Sequence, residues 1–444
     1  MQPTLRYRRY VLGLLLTAYI FSCLDRQILY ILIEPIKSEL GLSDTQIGLL
    51  GGFSFALFYA TLGMPIALLA DRYSRKTIIT LSLVAWSGMT ALSGAVVNFW
   101  QMLIARMGVA VGEAGCNPCA HSLISDFYPT DKRATALAVY QLGIPIGVML
   151  GLLIGGWISQ YFGWRTAFVL VGSVGVAFAI LLWLTLKEPL RGLSDRKRPA
   201  EHSQELSAPT FLETLRHLWA LKSFFHIVIG TSLIGVGIYT FFMWSPSFLI
   251  RSYGMTSGQV GTALALFNGL FGGAGIYLGG MVADRLAVRN QRWYLLLPCL
   301  GAFLAFPFAV GIYLSGTAVG SMAFMGFPVM LALVNTGPCY SLAQRLSLLR
   351  MRALAAAILL FMQNMIGLGL GPQITGFISD LLAPRFGDES LRYALLASSL
   401  AYPWAALHLW LGSRTLTGDL ASVEGGESAP HRPLPGLQDA GSRV

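Results

Sequence analysis

The chain has 444 residues, of which 55% are hydrophobic and 12% charged, with a formal net charge of +10. So little charge excludes a soluble domain of this size, whose wetted surface needs about twice as much. A disulfide framework is excluded too, because Cys23, Cys116, Cys119, Cys299 and Cys339 are odd in number and all fall in apolar stretches.

Twelve apolar runs long enough to cross hydrocarbon as helices follow one another: residues 10–36, 46–70, 77–97, 100–124, 134–160, 164–186, 223–250, 257–283, 294–314, 318–342, 352–381 and 391–413. Barrel strands would instead read as segments of about ten residues with alternating polarity. Outer loops hold only Lys37, Arg165, Arg251, Arg385 and Arg392, and Arg26 and Arg106 lie within runs; every other Lys and Arg falls on the opposite side. That bias places both termini in the cytoplasm and explains the net charge without nucleic acid. The expected fold is an all-α polytopic membrane protein of twelve transmembrane helices.

The first run contains Asp25 and Arg26, and the fourth contains Arg106 and Glu113. A charge at membrane depth costs about 2.5 kcal/mol or more, so such residues face a bundle interior or a wet cavity. At the helical rise, Asp25 lies about 22 Å from the inner start of its run, and Arg106 about 9 Å from the outer start of its own. Those levels coincide in a core of ~30 Å, so Arg106 is expected opposite Asp25, with Glu113 roughly 10 Å deeper on the same face. Asp25 and Glu113 are then the expected proton carriers, modulated by Arg106. Arg26, or Arg106 when released, would receive an anionic group through its planar fork. The alternative is a structural ion pair that only joins two helices.

The second run ends on Asp71-Arg72, with Arg75 and Lys76 close behind, and the eighth ends on Asp284-Arg285. These repeated inner loops are expected to form a cytoplasmic gate whose charges bind the opposite half in one state and return to water in another. A plain positive-inside loop is the alternative. Cys116-Asn117-Pro118-Cys119 has redox or metal spacing, but it lies inside a span without paired ligands and reads as packing. No metal, cofactor or catalytic residue is expected, since neither a phosphate-cradling loop nor a nucleophile-base constellation occurs.

A polar linker, residues 187–222, separates six runs in 1–186 from six in 223–414. Within it, Thr210 and Glu213 form a capping-box pattern ahead of an amphipathic helix carrying Phe211, Leu212, Leu215, Leu218 and Trp219. The tail, residues 415–444, is rich in Gly, Ser and Pro and is expected to be disordered. At the offset set by Asp71 and Asp284, Asp25 falls on Ile238 and Arg106 on Val319, so the second half lacks the charge centre. Its candidate substrate-binding residues are Tyr239, Phe242, Trp244, Asn268, Asn335 and Asn364, with Met243 beside them. Packing aromatics and asparagines bonded across helices are the alternative. Gly143, Gly147, Gly151 and Gly155 recur in the fifth run, and Gly367, Gly369 and Gly371 in the eleventh, where they allow close helix approach.

The loop Asp71-Arg72-Tyr73-Ser74-Arg75-Lys76 and its echo at Asp284-Arg285 resemble the signature of the major facilitator superfamily. Ala67, Ser74 and the missing second basic pair depart from it. Leu24-Asp25-Arg26-Gln27, Leu42-Ser43-Asp44-Thr45-Gln46-Ile47-Gly48 and Arg106 followed by Gly112-Glu113-Ala114 resemble the spinster branch. That resemblance implies two six-helix bundles and alternating access. It also implies transport of an amphiphilic anionic or zwitterionic lipid, such as a lysophospholipid or sphingoid phosphate, with proton coupling. The implied partners are the lipid, protons and the bilayer, with a monomer in a bacterial inner membrane. An organic-anion or sugar-phosphate exchanger is the alternative within transport. A non-transporting membrane receptor or assembly factor is the alternative of another class.

Overall fold

The computed structural model describes residues 4–190, 211–348 and 351–428, and among these every regular element is helical. The first pass is α1 (Leu5–Ile31), capped by the Thr4 hydroxyl, which accepts the Tyr7 N–H. A short α2 (Ile33–Leu40) follows outside and ends at Gly41. The second pass starts with α3 (Asp44–Gly48) under a Ser43–Gln46 capping box, widens into a π-helical turn over Leu49–Phe53, and continues as α4 (Ser54–Arg72). The third is α5 (Arg75–Ser93). The fourth is broken into α6 (Phe99–Glu113) and α7 (Cys116–Phe127).

Next come α8 (Thr130–Gln141) and α9 (Gly143–Thr185). The long apolar stretch from Lys132 to Thr185 contains two passes, because Gly163 turns the chain back at φ +83°. A residue with a Cβ rarely adopts that conformation. After the linker come α10 (Phe211–Ala220), α11 (Lys222–Tyr253), α12 (Ser257–Ala287) and α13 (Trp293–Leu314). The tenth pass is α14 (Ala318–Leu333) with α15 (Thr336–Arg345). The eleventh joins α16 (Arg352–Met362), a π-helical stretch Gln363–Leu370 and α17 (Gly371–Phe386). The twelfth is α18 (Ser390–Ser398) with α19 (Ala401–Ser428). Twelve passes result among the described residues.

Two expectations from the sequence change here. The tail is not disordered from residue 415, because α19 runs on to Ser428. Leu416, Leu420 and Val423 recur on one buried face, and the Asp419 carboxylate accepts the Ser223 N–H at 2.7 Å at the start of α11. Residues 429–444 lie outside the described residues, as does Thr210 of the capping-box pattern. The helix after it, α10, does form, burying Leu218 and exposing Leu212.

The apolar core shows how the passes meet. One cluster takes in most of the second half together with outer residues of the first, including Ile28, Leu50, Leu152 and Phe168. A separate cluster holds mostly inner residues of the first half, among them Val11, Leu15, Leu83, Leu123 and Tyr140, met from the second half by Leu368. The halves therefore share a core towards the outside and part towards the cytoplasm. Pass five and α12 come within backbone contact near the outside, where a Cβ on Gly261 would lie 2.3 Å from the Leu152 carbonyl oxygen.

Candidate functional site

Ser22 and Arg26 lie one turn apart on α1 and face the last residue of α6, Glu113. Glu113 Oε2 accepts from Arg26 Nε and Nη2, each at 2.7 Å, and from Ser22 Oγ at 2.9 Å. The carboxylate is wholly buried, whereas the Arg26 side chain keeps 23% of its surface exposed. Arg26 is thus the accessible member of the pair. Phe55 and Tyr59, one turn apart on α4, place their rings 4.8 and 4.6 Å from its guanidinium carbon. Aromatic faces attract that cation further.

Asp25 and Arg106 do not form the expected pair. Asp25 Oδ2 accepts from Thr90 Oγ1 at 3.1 Å, and Asp25 Oδ1 has no hydrogen-bond partner among the described residues. Arg106 is equally buried, with Nε and Nη1 unpartnered among the described residues and the Phe55 ring 6.0 Å away. Helical rise fixes a residue's depth but not its direction. Arg26 projects about 100° around α1 from Asp25, and that face meets Glu113.

Below the ion pair lies a polar chain with no counterpart among the sequence candidates. Tyr140 Oη donates to Asn117 Oδ1 at 2.7 Å, and Asn117 Nδ2 donates to Tyr59 Oη at 3.2 Å. Tyr140 also stacks on Tyr19 at 4.6 Å. Asn117 sits inside the Cys116–Cys119 stretch, so its spacing drew attention to the cysteines instead. Only the one-turn spacing of Phe55 and Tyr59 on a spanning helix hinted at this wall.

The second-half candidates divide. Tyr239 is partly buried and packs against both cores, and Phe242 packs against the larger one. Trp244 is fully buried and donates to the Pro372 carbonyl at 3.1 Å, so it holds two passes together. Asn335 bonds the Ala332 carbonyl of its own pass at 2.5 Å rather than another helix, because α14 ends there and leaves carbonyls to satisfy. Asn268 is buried with Oδ1 unpartnered among the described residues. Asn364 lies in the π-helical stretch, partly exposed.

The expected inner gate is arranged differently as well. Arg75 is buried and bonds Asp126 and Ser122 Oγ (2.9 Å) in its own half, and Glu188 Oε1 (2.9 Å) and the Pro189 carbonyl (3.2 Å) at the start of the linker that directly follows it. The Lys76 N–H donates to Glu188 at 2.7 Å, and its ammonium lies 4.6 Å from the Trp183 ring centre. Burial would raise the Glu188 carboxyl, but the Lys76 N–H, Arg75 and Ser74 outweigh it and hold the group below the usual carboxylate range. Asp284 accepts from Tyr294 Oη at 3.0 Å, again within its half, while Arg72 and Arg285 are exposed. The Asp71 side chain lies outside the described residues. With the halves parted on this side, these charges bond their own bundle.

Charges that do cross between halves sit at the outer end. Arg251 of α11 donates to Glu34 Oε1 at 2.9 Å and to both oxygens of Asp44 at 2.7 Å. Lys37 adds a contact to Asp44 at 2.5 Å, and Ser379 another at 2.6 Å. The Asp380 carboxylate receives the Asp44 and Thr45 N–H groups at 2.9 and 2.7 Å, capping α3 from across the interface. A cavity of about 410 Å³ opens beside this cluster. In the sequence Lys37 and Arg251 served only to count outer charges, and Asp44 only as part of a family-like stretch.

Residues 15–372 match the family model of the Major Facilitator Superfamily. An MFS-type efflux pump of Mycolicibacterium smegmatis is 34% identical over 409 residues, spanning 92% of this chain and 93% of that protein. A probable L-galactonate transporter of Escherichia coli is 27% identical over 406 residues, spanning 88% and 87%. The crystal structure of a bacterial homologue of the human lysosomal transporter spinster, inward-facing and unoccupied, superposes with a TM-score of 0.85 at 29% identity, covering 94% of this chain and 99% of that one. Twelve helical passes, the paired inner loops and these likenesses lead to one assignment: the chain is a membrane transporter, not an enzyme, and belongs to the major facilitator superfamily.

Proposed function

We propose that this transporter moves an anionic or zwitterionic amphiphile, of the lysophospholipid or sphingoid-phosphate class, by alternating access and coupled to a proton on Glu113. The observation that carries the reading is the Arg26–Glu113 pair, in which the cation is partly exposed and the carboxylate is buried. An anionic headgroup reaching Arg26 competes with Glu113 for the guanidinium. A buried carboxylate stripped of its partner is costly unless it takes up a proton, so substrate arrival and proton uptake become linked. Asp25, buried beside Thr90, is the second acid of this centre, and Arg106 balances its charge. The apolar surroundings of Arg26, with Phe55 and Tyr59 from the first half and Tyr239 from the second, suit a chain-bearing headgroup. Arg72 and Arg285 are the exposed members left to meet the opposite half when the inner ends close. We place the protein, as a monomer, in a bacterial inner membrane.

A second reading, exchange of sugar acids or sugar phosphates, is favoured by the relative described as an L-galactonate transporter. The test is flux in proteoliposomes with lysophospholipids, sphingoid phosphates, sugar phosphates and galactonate, with and without a pH gradient, for the native protein and Glu113→Gln. Lipid-dependent proton movement that vanishes in the variant is the expected result. Lipid flux indifferent to pH and to Glu113 removes the coupling role, and flux with sugar acids alone hands the function to the second reading.

A further inference from the structure

Tyr59 does more than offer its ring to Arg26. Its hydroxyl oxygen accepts from Asn117 Nδ2 at 3.2 Å, and the Asn117 amide is held in that sense because Tyr140 donates to its oxygen at 2.7 Å. Tyr140 is itself fixed, fully buried and stacked on Tyr19 at 4.6 Å. A hydroxyl has one hydrogen to give, and with its oxygen engaged by Asn117 that hydrogen must point elsewhere. Among the described residues no acceptor takes it. The ring is partly exposed, with its centre 4.6 Å from the Arg26 guanidinium.

We propose that Tyr59 and Arg26 form a two-donor subsite for an oxyanion, a carboxylate or phosphate, in which Tyr59 touches the substrate while Asn117 and Tyr140 act as positioning residues. The chain Tyr140, Asn117, Tyr59 runs with one polarity, so each member dictates what the next can offer. An oxyanion receives a planar fork from Arg26 and a single O–H from Tyr59, on the two sides of its charge. A cation or a neutral hydroxyl-poor headgroup gains nothing from this arrangement. The subsite rests on the reading that Arg26 receives the substrate's anion.

The experiment is concentration-dependent flux of two probes, a fluorescent lysophosphatidylethanolamine and glucuronate, in proteoliposomes of the native protein and of Tyr59→Phe, Asn117→Leu and Tyr140→Phe. Each variant is first checked for an unchanged thermal midpoint in detergent. Loss of a hydrogen bond to a charged group is expected to raise half-saturation about tenfold or more in Tyr59→Phe while maximal flux stays near native. Asn117→Leu and Tyr140→Phe should raise it comparably, although neither touches the probe. Tyr59→Phe combined with Asn117→Leu should add nothing further, since both remove the same donor. Unchanged half-saturation in Tyr59→Phe overturns the subsite, and fully additive losses overturn the positioning role. Native flux of glucuronate alone would sink the lipid reading yet leave the subsite to be judged with that probe. Because Tyr140→Phe keeps the ring stack, it decides the matter should Asn117→Leu fail to fold.

Discussion

The outer and inner ends of this molecule use the same chemistry to different effect. Outside, the Arg251 guanidinium belongs to one half and its carboxylates, Glu34 and Asp44, belong to the other. Inside, Arg75 is bonded at least as fully, yet Asp126 and Ser122 share its own half and Glu188 begins the linker attached to it. A buried guanidinium between two bodies is a latch that must part before they can rock. The same group within one body is a brace that travels with it. Counting ion pairs would not separate the two; asking which body owns each partner does.

The largest effect should come from the latch. Arg251→Ala leaves the nearly buried Asp44 without its main partner, worth about 3–5 kcal/mol against the outward-closed state. Spin labels on the outer ends of α2 and α17 should report a second, longer distance, and a single unchanged distance would show that the apolar core closes this side unaided. Arg75→Ala should cost about 2–3 kcal/mol in stability, read as a lower thermal midpoint in detergent, with that outer distance unmoved. Movement of the outer distance would turn the brace into a latch.

A smaller effect concerns pH. Because the Glu188 carboxyl lies below its usual range in the folded protein, its contribution is fully present above about pH 4.3 and is lost as pH falls through the folded value. Native protein and Glu188→Gln should therefore differ in thermal midpoint by a constant amount from pH 7 to 5 and converge in stronger acid. A gap that already closes between pH 7 and 5 would contradict this. Smallest of all, Glu39→Gln should leave the midpoint unchanged, since its pair with Arg165 at 2.7 Å is exposed to water. A measurable loss there would mean that the outer surface also braces the first half.

Much of this architecture was legible because hydrocarbon permits few alternatives. Long apolar runs, basic inner loops and a polar linker leave little besides a helical bundle. The membership of the charge centre was legible for the same reason, as Asp25, Arg26, Arg106 and Glu113 could hardly lie in lipid. Their pairing was not. Depth follows from counting residues, whereas partner choice depends on rotation about each axis, and the break between α6 and α7 just after Glu113 leaves no signal that counting can use. Trp244 shows a related limit, because an indole that lines a cavity and one that bonds Pro372 are the same letter in a spanning run. The outer latch escaped because short outer loops advertise topology rather than contact across the halves.

The glycines of pass five bear on how mutations in this protein are to be interpreted. A Cβ on Gly147 would lie 2.6 Å from the Ile20 carbonyl oxygen, and one on Gly151 would lie 2.8 Å from that of Leu24. Both carbonyls belong to α1, the helix that carries Arg26. Even alanine at these positions must therefore shift one helix against the other and disturb how Arg26 meets Glu113. In an alanine scan, Gly147 and Gly151 would score as substrate contacts without touching substrate, and only a variant that restored the helix spacing would unmask them.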